Sequence, residues 1–163
     1  MNESVGLGIL TPRIRAQYLS EQNRHSFTYT ITEQELRRLR TAVAVRPNIE
    51  AAHGPELLQP PILAGTMDPF ERKDLPDDGV LAMISSPAVG GGNAFTEVEL
   101  LRPVPIGVPV RVEYRPSDIY EKRGSSGILL FRVRETTIYD GTAVVARVRA
   151  GHVLTFRIPG SAP

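Results

Sequence analysis

The sequence predicts an α+β fold in which a curved antiparallel β-sheet wraps around a central helix. Three observations predict it. From Asn93 onward, apolar and polar residues alternate in long runs joined by turn signals, the pattern of a meander of half-buried strands. Ahead of them a short alternating strand runs straight into a capped helix at Thr32. Between the two lies a stretch, 46–92, holding seven of the fourteen prolines, where regular structure must be short.

Taken in order, residues 1–24 are weakly patterned and form an N-terminal extension. His25 to Ile31 alternates Phe27, Tyr29 and Ile31 with polar residues, which predicts a strand. Thr32 followed by Glu35 is a capping box, and a helix is expected over about 33–45, with Leu36, Leu39 and Val43 on one face and Pro47 as its stop. A second, central helix is expected to open at Pro60-Pro61, since proline is tolerated in a first turn; Ile62, Leu63, Met67 and Phe70 would form its apolar stripe. Val80 to Ser85 reads as a short strand, and Gly90-Gly91-Gly92 as a loop.

The meander follows. Val98 and Leu100 share one strand face, Glu97 and Glu99 the other. Arg102 to Gly107 makes the next connection, and Val108, Val110, Val112 and Tyr114 then point inward. Residues 116–127 read as a charged loop, and Leu129, Phe131 and Val133 as the next inward face. Asp140-Gly141 is a two-residue hairpin signal. Val144, Ala146, Val148, Ala150, His152, Leu154 and Phe156 line one side of the last strand. With 139 paired to 142, Arg134 would meet Arg147 and Arg132 would meet Arg149, all on the outer face. Such a like-charge arrangement needs nearby carboxylates (Glu97, Glu99 or Glu113), a partner subunit, or the phosphates of a substrate.

At 163 residues, one domain is expected: a core over about 25–157, the extension at 1–24 and a tail at 158–163. Hydrophobic residues make up 41% and charged residues 23%, ordinary for a globular chain. A net charge of +1 gives no bulk attraction to nucleic acid or membranes. With no cysteine, disulfides and thiolate chemistry are excluded. No apolar run approaches the roughly 20 residues of a membrane span, and the N-terminus does not read as a signal peptide, so a cytoplasmic location is expected.

Three segments, "FTYTITEQELRRLRTAVA", "GGGNAFTEVELLRPVPIG" and "DIYEKRGSSGILLFRVRETTIYDGTAVVARVR", resemble the MaoC-like hotdog dehydratases, and more closely their N-terminal-type domain, also found in the fatty acid synthase dehydratase region. The resemblance spans about 25–157 and implies a hotdog fold. It implies a subunit of a hydro-lyase that interconverts trans-2-enoyl and (R)-3-hydroxyacyl thioesters carried on coenzyme A or acyl carrier protein, without metal or redox cofactor. Active members carry Gly-Asp-x-Asn-Pro-[Ile/Leu/Val]-His after the first helix, whose Asp and His act as an acid/base pair. Here that stretch reads Val43 to Glu50: no Asp is in place, Asn and Pro are reversed, and Glu50 or Ala51 stands where His would fall.

The leading expectation is therefore a non-catalytic hotdog subunit that pairs with a MaoC-like catalytic chain. Glu50 and His53 are the catalytic candidates, His53 otherwise reading as a loop histidine. Pro60, Pro61, Gly92 and Asn93 are the expected substrate-channel residues. Alternatives remain open: a self-sufficient homodimeric hydratase or thioesterase, or an acyl-thioester binding protein without catalysis. His152 reads as a core or interface histidine, and His25 has no evident role. The glycines at 90–92 lack the Lys-Ser/Thr that follows a phosphate loop; they border a substrate channel or form a plain connection.

Overall fold

A computed structural model describes residues 8–42, 77–124 and 127–157. Five antiparallel strands form one sheet: β1 (His25–Thr30), β2 (Ala88–Leu100), β3 (Pro109–Arg123), β4 (Ile128–Asp140) and β5 (Ala143–Phe156), in the order β1-β3-β4-β5-β2. Two helices, α1 (Pro12–Tyr18) and α2 (Glu33–Ala42), contribute to its packed face. The expected antiparallel sheet is thus present. The expected central helix at Pro60-Pro61 lies outside the described residues, as do Val43 and Pro47.

The helix after β1 begins as its sequence dictates. Thr32 Oγ1 accepts the Glu35 amide (3.2 Å), and Glu35 Oε2 accepts the Thr32 amide (2.7 Å), so each satisfies one orphan donor. The Thr32 amide, then the Tyr29 and Thr32 hydroxyls, hold the Glu35 carboxyl below the usual carboxylate range. Leu36 is buried with Ile31, Val110, Val112, Ile138 and Val148 in a cluster at one end of the sheet.

The N-terminal extension contains a helix that weak patterning had hidden. Thr11 caps it, its hydroxyl accepting the Ile14 amide (3.2 Å), and Pro12 occupies the first turn. Asn23 Nδ2 donates to the Gln17 and Tyr18 carbonyls at the far end (2.8 and 3.1 Å). Ile14 and Tyr18, one turn apart, are buried against Ile119, Leu130, Leu154 and Phe156 in a second apolar cluster. Burial of two such side chains is worth about 1.5–3 kcal/mol each, enough to hold a helix of only seven residues that would not persist alone.

Four local expectations are corrected. Val80 to Ser85 is not a strand: Leu81–Met83 forms a 3-10 turn. Gly90 to Gly92 is not a loop but part of β2, paired with Thr155, Leu154 and Val153. Residues 116–123 continue β3 through an irregularity between Pro116 and Asp118. Val108 is exposed and precedes its strand.

The fifth correction concerns register. The hairpin loop is Gly141-Thr142, with Asp140 opposite Ala143 and Gly141 at φ +57°, where glycine is favoured. A further shift between Ile138 and Tyr139 then sets Thr137 opposite Arg147 and Glu135 opposite Arg149. The four arginines therefore do not meet. Arg132 and Arg134 share the inner face with Ile128, Leu130, Thr136 and Ile138, while Leu129, Phe131 and Val133 lie on the outer face.

The sheet's two edges differ. On one side β1 covers only Pro109 to Tyr114 of β3. Beyond it the edge of β3 is obstructed: Pro116 has no N–H, the Ile119 amide donates to Asp118 Oδ1 (2.8 Å), and the Ile119 carbonyl accepts from Arg15 (2.7 Å). On the other side β2 pairs only with β5 among the described residues, and from Phe95 to Leu100 its register is regular. That run carries no proline or lysine.

Candidate functional site

A polar belt crosses the inner face between the two apolar clusters. Register places Asn93, His152, Arg132 and Ile119 in one row across β2, β5, β4 and β3, with Arg134 two positions along β4. Arg132 is 6% exposed and Arg134 2%. Arg132 Nη1 donates to Asp78 Oδ2 at 2.7 Å, and both side chains of this ion pair are nearly sealed from solvent, 8% and 12% exposed. Asp78 also accepts the Val80 amide on Oδ1 (3.0 Å), which ties the segment before β2 to the sheet. The Arg134 guanidinium stands 5.8 Å from the Tyr114 ring, a cation–π arrangement. Tyr114 in turn stacks on His25, ring centroids 5.8 Å apart, which gives His25 a packing role.

Tyr18 reaches the same belt from α1. Its hydroxyl donates to the Val133 carbonyl (3.1 Å), and burial pushes its ionisation well up, so it stays a neutral donor. His152 is half-buried, with Nδ1 3.5 Å from Arg132 Nη2. Burial first, then the charges of Arg132 and Arg134, hold its pKa below the ordinary histidine value, with Asp78 opposing. The belt thus presents a neutral imidazole beside a fixed cation.

The outer face is organised by charge. Glu97, Arg149, Glu135 and Arg115 form one row across four strands, with Arg149–Glu97 at 3.1 Å and Arg115–Glu135 at 2.5 Å. Arg147 pairs with Glu99 (2.9 Å), and Arg111 with Glu113. The expectation that carboxylates neutralise the outer arginines thus holds for Arg147 and Arg149, and the carboxylates are Glu99 and Glu97. Nearer the other end of β5 the outer face is apolar: the Phe95 ring lies where a side chain on Gly151 would project, and Tyr120 stacks on Phe131.

Of the residues singled out by sequence, Gly92 and Asn93 lie in β2, an edge strand among the described residues, with Asn93 Nδ2 donating to Thr96 Oγ1 (2.9 Å). Glu50, His53, Pro60 and Pro61 lie outside the described residues. Arg132, Arg134, Asp78 and Tyr18 were missed as a group. The signal that would have found them is the opposite phase of β4: Leu130, Thr136 and Ile138 share the parity of the arginines. Among the described residues, no group of three or more His, Asp or Glu gathers to hold a metal ion, and no helix is long and apolar enough to cross a membrane.

No protein-family model and no curated protein matches the chain. Solved structures do. A chain of the ChsH1–ChsH2 complex from Mycobacterium tuberculosis is similar over 93% of both chains, at 16% identity and a TM-score of 0.64. A MaoC-like dehydratase from Phytophthora capsici is similar over 91% of this chain and 50% of its own, at 17% identity and a TM-score of 0.61. The HadBC (3R-hydroxyacyl-ACP dehydratase) complex of M. tuberculosis, truncated at its C terminus, matches over 83% and 98%, at 11% identity and a TM-score of 0.55. At these identities the likeness shows the fold, which is the hotdog fold of MaoC-like dehydratases.

Proposed function

We propose that this chain is a hotdog subunit of an (R)-specific enoyl-thioester hydratase or, in the opposite direction of the same reaction, a 3-hydroxyacyl-thioester dehydratase, and that it pairs with a MaoC-like subunit carrying the catalytic Asp and His. The observation that carries the reading is the β2 edge of a sheet of this fold: among the described residues β2 pairs only with β5, and from Phe95 to Leu100 its register is regular, which favours the addition of another strand. Two of the similar structures are complexes of two named components, which agrees with pairing. The chain's own part is non-catalytic in this reading, because the stretch Val43 to Glu50 departs from the acid/base motif. The acyl group would be bound as a thioester of coenzyme A or of a carrier protein, in a channel between subunits near Gly92 and Asn93, with Pro60 and Pro61 as further lining.

Co-expression with candidate MaoC-like partners, followed by hydration assays on crotonyl-type thioesters, tests this. Activity is expected only from the pair. Full activity from the chain alone, abolished by Glu50→Ala or His53→Ala, would replace the non-catalytic reading with the self-sufficient one.

A further inference from the structure

We propose that the outer face of the sheet is an interface between two copies of this chain, stacked back to back about a two-fold axis that runs along the strands between β4 and β5. The inference goes beyond the hydro-lyase reading and does not depend on it. That reading uses the backbone edge of β2, whereas this interface uses side chains on the face.

Charge complementarity carries the argument. A two-fold along the strands lays each row of the outer face over the same row of the second copy, in reverse order. Strand β2 then faces β3 of the second copy, and β5 faces β4. From β2 to β3 the charged row reads Glu97, Arg149, Glu135, Arg115. Its signs alternate, so reversal sets Glu97 opposite Arg115 of the second copy and Arg149 opposite Glu135. All four side chains are accessible, from 37% to 64% exposed. A two-fold across the strands would instead set this row on itself, glutamate on glutamate, or set it on the aromatic row. Like charges face to face are unfavourable. The lengthwise axis pairs every charge of the row with its opposite.

The apolar end of the face agrees in shape. Its row reads Gly92, Val153, Phe131, Tyr120. Reversal sets Val153 against Phe131 of the second copy and Gly92 against the Tyr120 ring. A Cβ at Gly92 would meet nothing within 4 Å, so the bare strand leaves a hollow for that ring. Gly90 leaves the same room opposite Lys122, whose amine lies 5.4 Å from the Tyr120 centroid. Between the two rows, Phe95 lies over Gly151 and meets the row of Val133 and Asp118; Arg15 and the Ile119 amide already hold Asp118. Beyond the charged row, Glu99 would face Glu113, each already holding an arginine, so the patch ends at Glu97. Four strands about 4.8 Å apart and about eight residues of rise at about 3.3 Å give roughly 500 Å² on each copy. The total of roughly 1,000 Å² is near the lower bound of a specific interface, which implies association in the micromolar range.

Sedimentation equilibrium of the full chain alone, from about 1 to about 200 μM, reads the association constant, and circular dichroism checks the fold of each variant. Wild type is expected to associate reversibly through this face. Glu97→Arg and Arg115→Glu are each expected to weaken association about tenfold, since each sets like charges across the axis. Combined, they are expected to recover most of the wild-type constant, because the exchanged charges again face opposite ones in the second copy. Within one chain the same combination sets like charges side by side at both ends of the row. Were the row to act only within the chain, the combined variant would be the worst of the three, and that result overturns the proposal. Gly92→Gln is expected to weaken association about tenfold with unchanged circular dichroism, by filling the hollow for Tyr120. A single-chain mass up to the highest concentration overturns the proposal. So does association that none of these substitutions moves, as strand addition along the β2 backbone would give.

Discussion

Arginines occur in two pairs on neighbouring strands, and the two pairs meet opposite environments. Arg147 and Arg149 lie on the outer face of β5, about half exposed, each against a glutamate of β2. Arg132 and Arg134 lie on the inner face of β4, nearly sealed, with Asp78 reaching Arg132 from the segment before β2. The residue type is the same; the cost of disturbing it is not. An exposed pair loses little when one partner goes, because water replaces it. A buried guanidinium that loses its carboxylate keeps the desolvation cost and forfeits the compensation. The outer pairs therefore organise a surface, while the inner pair fixes the segment before β2 and orients a ring.

The strongest way to break this comparison is Asp78→Ala. It is expected to cost about 3 kcal/mol of folding stability, read from urea denaturation; a loss below about 1 kcal/mol would make the two faces equivalent. Gly151→Val comes next, since its side chain would occupy the space of the Phe95 ring. It is expected to cost about 2 kcal/mol by overpacking and to raise hydrogen exchange in β2 before β3. Glu97→Gln removes one outer partner of Arg149 and should cost under about 0.5 kcal/mol. Of these interactions, the outer pairs alone should weaken measurably in 1 M salt, which shortens the Debye length to about 3 Å.

Acidification sharpens the same contrast. The folded His152 takes its proton at lower pH than the unfolded chain, so the unfolded state binds more protons below the ordinary histidine pKa. Its contribution is fully present above that value and is lost as pH falls through the folded one. Wild type should thus lose more stability than His152→Gln between pH 7 and 5. A pH slope identical in both would remove His152 from the belt's electrostatics. Glu35 titrates in the same sense at lower pH, below the ordinary carboxylate range, and loosens the start of α2.

Much of the fold was legible in the sequence. The Thr32/Glu35 capping box, the alternation of Val110, Val112 and Tyr114, and the split of Val98 and Leu100 from Glu97 and Glu99 each rest on local chemistry, and each is present as read. What was not legible depends on register. One residue of shift exchanges the faces of a strand, and β4 carries apolar residues at both parities, with arginines interrupting the inner one. Polarity then argued for the wrong face. The turn residues alone did not reveal that the hairpin loop is Gly141-Thr142, nor the irregularity that follows it. The belt was hidden for a related reason: Asp78 and Tyr18 reach Arg132 and Val133 across sequence separations of 54 and 115.

The obstructed edge of β3 has a consequence for size. A sheet that offers ladder groups on both sides can add neighbours without limit, and its product is a ribbon. Here Pro116, Asp118 and Arg15 spoil the stretch of β3 beyond β1, so among the described residues a strand added on that side could pair only along the six residues of β1, whereas β2 has thirteen. Lengthening of the sheet is thereby biased toward the β2 side.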